Sequence, residues 1–249
     1  MTHEMRTSQF LHLLLAQRGV SDAAALTAAA GLQTHRQVFQ DKEAIVPSQT
    51  QLTASSLLIR GMAVRQHGAS RGTCVISGIC VPGDFVDIHS LLLKELDHEI
   101  VSVGTTAVEF VLHEDLLNLC HDHFEVSRTL WIEALLDAKA HRAWTVVAGS
   151  LRVMARIAHL LCELECRLAR VGLADTGNFT MPLTQARVAE ITGATPVHVN
   201  RALQDLREAG LLEWQGRTVR LPDLTGLRAL CGFDPDYLTR RSIFEIIGP

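Results

Sequence analysis

The sequence lacks long apolar runs, and this absence argues against a membrane-spanning protein. No uninterrupted apolar stretch approaches the ~18 residues that a membrane-spanning helix requires. The N-terminus has no basic flank followed by an apolar segment, so no signal peptide is predicted. We therefore expect a cytoplasmic protein without a membrane partner.

Charged residues and closely spaced cysteines are also scarce. Of the 249 residues, 20% are charged and 47% are apolar, and this balance excludes disorder as the dominant state. The six cysteines form no CxxC pair, which favours free thiols over disulfides, an iron–sulfur cluster or a cysteine zinc site. Cys162 and Cys166 share one face of a predicted helix. Packing is the favoured interpretation for this pair, ahead of a redox or metal role.

The chain has no strongly basic half. Residues 1–149 carry 11 Lys and Arg against 16 Asp and Glu, and residues 150–249 carry 12 against 11. The first part is therefore an unlikely surface for nucleic acid, and a basic footprint in the second part has to be local.

The first half of the sequence predicts a helix followed by short strands. Residues 8–29 are typical of a helix, and residues 172–178 further on are typical of a loop. Turn residues separate the predicted strands, and this spacing indicates an antiparallel sandwich or small barrel. Pro82, Gly83 and Asp84 predict a turn. The predicted strands are Ser56–Ile59, Thr73–Ile79, Ile100–Val103 and Val108–Leu112.

Two long helices are predicted after the strands. The first covers residues 124–147, where Trp131, Leu135 and Ala138 have the spacing of an interhelical seam, although Arg142 interrupts it. Ala148–Ser150 is the candidate hinge, and a second helix is predicted over residues 151–171.

Residues 184–210 predict a helix-turn-helix. Thr184 can cap a first helix, and Gly193 suits the turn because glycine tolerates positive φ. Thr195 and Pro196 form a strong helix start, and Val199, Ala202, Leu203 and Leu206 give the second helix its buried face. Residues 211–221 then predict a β-hairpin with Arg217 at its tip, which is the wing of a winged helix-turn-helix.

The second helix of such a module enters the major groove. Arg201 is predicted to bind guanine, Asn200 or Gln204 to read adenine, and Val197 to contact a thymine methyl group. A surface ion pair between Arg201 and Asp205 is the alternative interpretation. The full predicted DNA-binding set is Thr184, Gln185, Thr195, Pro196, Val197, His198, Asn200, Arg201, Gln204 and Arg217.

The layout resembles the Crp/Fnr superfamily of bacterial transcription regulators. The motifs that carry the resemblance are Pro82–Asp87, Leu96–His98, Pro182–Gln185, Val199–Arg201 with Leu203 and Leu206, and Phe233–Leu238. The resemblance implies an α+β fold with an N-terminal antiparallel β-barrel or jelly roll, a long dimerisation helix and a C-terminal winged helix-turn-helix. Their expected bounds are 1–123, 124–149 and 150–249. It also implies a homodimer on a palindromic site in double-stranded DNA, with RNA polymerase as a further partner, and no enzymatic activity.

The departures from that family concern its effector. Cyclic-nucleotide binders of the family carry a Gly-Glu pair and an Arg-Ser or Arg-Thr pair, whereas this chain has Asp87–Leu91 and Leu96–Ile100 in those regions. Asp97 and Glu99 would repel a phosphate, so cyclic AMP and cyclic GMP are not expected. The first 73 residues contain no cysteine, which speaks against the iron–sulfur sensor of the oxygen-responsive branch. No cofactor is predicted, and the effector stays unidentified.

A different class of function rests on histidines. His121 and His123, followed by Glu125, could belong to a cupin-like metal-binding barrel or to a metal- or haem-dependent sensor. That interpretation requires the histidines to lie on strands inside the barrel. No other convergent polar set in the barrel is apparent from the sequence.

Overall fold

The computed structural model describes residues 5–8, 10–68 and 74–239. The chain divides into two compact units. The first comprises Met1–Gly68 and Gly78–Leu135, and the second comprises Ala69–Ser77 and Leu136–Pro249.

An antiparallel sheet lies mainly in the first unit, which includes residues 78–80 of its fifth strand. Its strands are β1 (Met5–Thr7), β2 (Gln33–Phe39), β3 (Ala44–Val46), β4 (Ala54–Gly68), β5 (Cys74–Cys80) and β6 (Glu99–Leu112). The order is β1-β2-β6-β4-β5, and β3 also pairs with β6. Helices α1 (Leu11–Gln17), α2 (Ala23–Gly31), α3 (Ser90–Leu93) and α4 (His113–Asp122) complete the unit with the start of α5 (Phe124–Ser150).

The strands are longer than the sequence predicted. Residues 100–103 and 108–112 were expected as two strands but form the single strand β6, which Gly104 bends with a φ of 67°. Strand β4 likewise extends far beyond 56–59, with register shifts on both sides of Arg60. Bulges of this kind let a strand bend while its neighbour stays paired. Turn residues therefore do not end the strands here.

Alternate residues of β4 supply two hydrophobic cores. Leu57 belongs to the cluster with Leu11, Leu116 and Val126, so it packs with α1, α4 and α5. Leu58 belongs to the opposite cluster with Ile100 and Val108. This division follows from the two-residue period of a strand.

The helix predicted over residues 8–29 is two helices. α1 ends at Gln17 and α2 begins at Ala23, and Gly19 in the connection has a φ of 86°. Asp22 caps α2 by accepting a hydrogen bond from the backbone N–H of Ala24 at 2.9 Å. The glycine turn and this cap separate the two helices.

The break between the two long helices lies later than expected. α5 continues through Ala148–Ser150, and α6 (Val153–Arg170) begins after Leu151 and Arg152. The expected helix break at Ala148–Ser150 is wrong in position, because Gly149 is accommodated inside α5 and the Leu151 N–H still bonds to the Val147 carbonyl at 3.0 Å. The hinge itself stays a prediction. Arg152 has extended backbone angles and ends that hydrogen-bond ladder. The predicted segment bounds 1–123, 124–149 and 150–249 stay a prediction.

The second unit holds α6, the helices α7 (Gln185–Thr192), α8 (Pro196–Glu208) and α9 (Leu224–Cys231), and a small sheet. The sheet has the order β7-β8-β10-β9, from Ala174–Asp175, Asn178–Thr180, Thr218–Arg220 and Glu213–Gln215. Residues 172–178 were expected as a loop, but β7 and β8 pair around a tight turn at Thr176 and Gly177. The two-residue strand β7 is too short to show an alternating pattern.

Within the part of the chain that the structure describes, no helix is both long and apolar enough to cross a membrane.

Candidate nucleic-acid interface

The helix-turn-helix has the capping geometry that the sequence predicted. The Thr184 hydroxyl accepts from the Arg187 N–H at 3.2 Å at the start of α7, and Gly193 ends that helix with a φ of 63°. The Thr195 hydroxyl accepts from the His198 N–H at 3.3 Å, and Pro196 is the first residue of α8. These contacts satisfy backbone donors that a helix start leaves free.

The predicted buried face of α8 is also confirmed. Val199, Leu203 and Leu206 are fully buried and Ala202 is nearly so. Ala189 on α7 is buried as well, as the close crossing of two short helices requires. The opposite face of α8 is left on the surface.

All ten predicted DNA-binding residues are exposed. Val197 is 76% exposed, which is unusual for a β-branched apolar side chain. Asn200 donates from Nδ2 to Gln185 Oε1 at 3.2 Å, which joins α7 to α8. Gln204 donates to Glu208 Oε1 at 3.1 Å. Both predicted adenine readers are therefore already hydrogen-bonded within the protein.

Arg201, in contrast to Asn200 and Gln204, is not bonded within the described part of the protein. Among the described residues it makes neither a hydrogen bond nor an ion pair, and the contact with Asp205 that the sequence allowed is not formed. A guanidinium offers five donors in a planar fork. This side chain is thus free to bind an acceptor from outside the protein.

The wing is a tight hairpin. Gly216 occupies its turn with a φ of 57°, and Trp214 donates from Nε1 to the Gly216 carbonyl at 3.0 Å. Arg217 is exposed beside the glycine, while its carbonyl accepts from the Met181 N–H at 2.7 Å. The backbone of Arg217 is therefore fixed and its charged side chain projects from the surface.

A buried carboxylate ties the C-terminal motif to the domain. Glu163 is 5% exposed and accepts hydrogen bonds from Trp144 Nε1 at 2.8 Å, Tyr237 Oη at 2.6 Å and Arg167 at 3.0 Å. The His159 ring stacks on Tyr237 with centroids 5.8 Å apart. Burial and the nearby Glu163 raise the pKa of Tyr237, which stays a neutral donor. Residues 233–238 are thus part of the domain.

In the first unit, the polar residues around the Pro82–Asp87 motif bond to the protein itself. Asp87 is fully buried and accepts from the Ser56 N–H at 2.7 Å and the Ser56 hydroxyl at 2.8 Å, and burial raises its pKa to about 7. Arg65, 5% exposed, donates to the Val86 carbonyl at 3.1 and 3.2 Å. These groups hold the turn in place.

Three histidines converge in the first unit, which the sequence did not predict. The ring centroids of His67 and His89 each lie 5.5 Å from that of His98. Pairing of Gln66 with Glu99 between β4 and β6 brings His67 beside His98, and strand register is not visible in a single sequence. His98 Nδ1 bonds to Asp97 Oδ1 at 2.8 Å, and burial lowers the pKa of His98.

His121 and His123 do not lie on barrel strands. His121 is in the last turn of α4 and contacts Asp122 at 3.1 Å, while His123 contacts Asp22 at 3.1 Å. Glu125 accepts from the Ser21 N–H at 2.9 Å. In the described ranges, no three His, Cys, Asp or Glu side chains are arranged to hold a metal ion. The metal-binding barrel is therefore not favoured.

Known proteins resemble this chain in sequence and in fold. The Crp-like helix-turn-helix domain family matches residues 155–230. A probable transcriptional activator of Rhizobium leguminosarum bv. viciae is 29% identical over 107 residues, 43% of this chain and 44% of that protein. The transcriptional activator protein FnrL of Cereibacter sphaeroides is 24% identical over 212 residues, 80% and 81% of the two chains. The structure of FixK2 from Bradyrhizobium japonicum has a TM-score of 0.69 at 20% identity and covers 79% of this chain and 96% of that one.

The match to the Rhizobium protein spans less than half of that protein, and the likeness to FixK2 concerns the fold. The α+β fold class predicted from the sequence is confirmed by this likeness and by the matched domain. Both sequence relatives are transcriptional activators by name, in agreement with the prediction that the chain is not an enzyme. The predicted resemblance is confirmed: residues 155–230 match the Crp-like helix-turn-helix domain family, and the chain is similar in sequence to FnrL and in fold to FixK2.

Proposed function

We propose that the protein regulates transcription as a homodimer that binds a palindromic site in double-stranded DNA through α8. The observation that carries the proposal is the exposed, capped N-terminal surface of α8, with Arg201 free of partners in the described residues. Recognition helices of this module place their N-terminal residues against base edges.

The exposed side chains divide into two roles. Arg201 binds guanine O6 and N7, and Val197 contacts a thymine methyl group. Asn200 or Gln204 reads adenine after exchanging its contact with Gln185 or Glu208 for a base. The side chains that bind or approach phosphates are Thr184, Gln185, Thr195, Pro196, His198 and, from the wing, Arg217.

The exposed apolar face of α5 supports the homodimer. Phe124, Trp131 and Leu135 are 75%, 70% and 63% exposed. They follow a spacing of seven and four residues on one helix, as in an interhelical seam. Contiguous apolar surface of this kind marks an interaction site, and we assign it to the same face of a second copy.

The first unit senses an effector that is not identified, or it senses none. Asp97 is exposed where the cyclic-nucleotide binders carry a phosphate-binding arginine, and Asp87 is bonded to Ser56. This charge pattern supports an effector other than a cyclic nucleotide.

RNA polymerase is the further partner that we propose. The cytoplasm, where the DNA lies, is the proposed compartment.

The test is selection of sequences from a random duplex library by the purified full-length chain at fixed salt. We expect enrichment of an inverted repeat with half-site centres about 10 base pairs apart, since two recognition helices of a dimer stand roughly one DNA turn apart. The Arg201→Ala variant should enrich the same repeat with relaxed preference at one position per half-site. An unenriched library, with and without an extract of small molecules, would contradict the proposal.

A further inference from the structure

The connection between α1 and α2 contacts α5 at two places, and the proposed function leaves these contacts unused. Arg18 Nη1 lies 2.8 Å from Glu133 Oε2, and the two side chains are 20% and 18% exposed. Nearer the start of α5, Glu125 accepts hydrogen bonds from the Ser21 N–H at 2.9 Å and from the Asp22 N–H at 3.2 Å. Two carboxylates of one helix thus hold both ends of the connection.

The Arg18–Glu133 pair lies on the side of α5 opposite its exposed apolar face. Trp131 and Leu135 belong to that face, and Glu133 is two residues from each of them. Since an α-helix turns by about 100° per residue, Glu133 lies roughly 200° around the helix from either side chain. A bond to Glu133 therefore determines which face of α5 points away from the first unit.

Arg18 also bonds to the Pro82–Asp87 motif. Its Nη2 donates to the Gly83 carbonyl at 3.3 Å, while the Gly83 N–H donates to the Leu58 carbonyl of β4 at 2.8 Å. The donors of a guanidinium are fixed in one plane, so the two acceptors of Arg18 are constrained relative to each other. One side chain thus connects α5 to the motif and, through the motif, to the sheet.

The same elements share a hydrophobic core. Val126 and Leu130 of α5 belong to the buried cluster that also contains Leu14 of α1 and Phe85 of the motif. Apolar burial is strongly favourable but non-directional. It holds α5 against the first unit, and the bonds of Arg18 and Glu125 select one rotation of the helix about its own axis.

We propose that Arg18 is a positioning residue that fixes the face α5 presents to a second copy of the chain and ties that face to the Pro82–Asp87 motif. The inference rests on the proposed homodimer. With Arg18 in place, α5 enters the dimer already oriented. Without it, α5 samples other rotations, and dimer formation has to order the helix, which lowers the affinity between the copies.

The experiment measures the dimer dissociation constant of the full-length chain by light scattering on dilution. Arg18→Gln should raise this constant roughly 3–10-fold. Arg60→Gln is the matched control, because it removes an exposed arginine from β4 of the same unit, and it should leave the constant unchanged. Arg18→Lys should remain closer to the wild type, since its ammonium can still pair with Glu133 although it lacks the planar fork.

A second perturbation tests the tie to the motif. Ser56→Ala removes the hydroxyl that donates to Asp87 Oδ2 at 2.8 Å and so loosens the motif at its other end. We expect Ser56→Ala to raise the dissociation constant when Arg18 is present and to have little further effect in Arg18→Gln or Arg18→Lys. Independent sites would instead give additive effects on the free energy of dimer formation.

The outcomes separate this inference from the proposed function. A monomeric wild type would contradict the proposed homodimer and with it this role of Arg18. A dimer whose dissociation constant is unchanged by Arg18→Gln would overturn the inference alone, even if the thermal midpoint falls, because a purely structural contact affects unfolding and not the association of folded chains. The tie to the motif fails if Ser56→Ala is silent in the wild type or acts equally in both Arg18 variants.

Discussion

The polar side chains of α8 and those around the Pro82–Asp87 motif of the first unit differ in their partners. On α8 of the second unit, the predicted recognition residues are exposed, and Arg201 has no partner among the described residues. In the first unit, Asp87, Arg65 and Glu109 are buried, and each bonds to other groups of the protein. A free donor fork can bind DNA directly, whereas a small molecule entering the first unit has to displace existing hydrogen bonds. This contrast supports the proposal that α8 is the DNA-binding surface.

The largest expected effect comes from disrupting the proposed dimer. In Trp131→Glu, a charge replaces a ring that is 70% exposed on α5, and a buried unpaired carboxylate would oppose dimer formation. Affinity for the two-fold site should fall about 10²–10⁴-fold, because two linked contacts become one. Light scattering should report a monomer.

Val38→Glu is the matched control for that variant. Val38 is an exposed valine on β2, so the substitution adds the same charge to the same unit away from α5. The control should keep the mass and affinity of the wild type. A dimeric Trp131→Glu would place the seam elsewhere.

The buried Asp87 predicts a dependence of stability on pH. Its folded pKa is raised from 3.8 to about 7, so the protonated form favours folding. This contribution is fully present below pH 3.8 and is lost as the pH rises through 7, amounting to about 4 kcal/mol in total.

Urea unfolding of wild type and Asp87→Asn between pH 4.5 and 7.5 checks the prediction. The uncharged amide should gain stability relative to the wild type as the pH rises. Since both proteins share all other titrating groups, a constant difference would show that Asp87 is not the cause.

Sequence-specific contacts to bases should be separable from non-specific binding to the DNA backbone. Arg201→Ala should lose about 1–3 kcal/mol of binding to the selected site and little on random DNA. Arg207→Ala is the control, because Arg207 is an exposed arginine in the last turn of the same helix. Equal losses on both DNAs would make Arg201 a phosphate contact.

The smallest effect is expected at the wing. Arg217→Ala should weaken binding to all sequences alike and reduce the slope of log affinity against log salt by about one. Arg220→Ala, which removes an exposed arginine that pairs with Glu213 at 3.3 Å, should change that slope less. Fluorescence titrations at several salt concentrations measure both.

The sequence predicts the elements that local contacts determine, and it does not predict the contacts between residues that are distant along the chain. Thr184, Gly193, Thr195 and Pro196 determine α7 and α8 through contacts within three or four residues, so both helices were predictable. The histidine cluster depends on the pairing of β4 with β6, a contact between distant residues that no local pattern reveals. Glu163 likewise gains Tyr237 as a partner only through tertiary packing.

The spacing of half-sites tests the central claim most directly. The selected inverted repeat is titrated beside a copy in which five base pairs are inserted between the half-sites, which turns them by about half a helical turn. If two α8 helices of one dimer read the site together, the insertion should abolish the specific part of the affinity and leave non-specific binding unchanged. Equal affinity for both duplexes would contradict the dimeric reading of DNA by this protein.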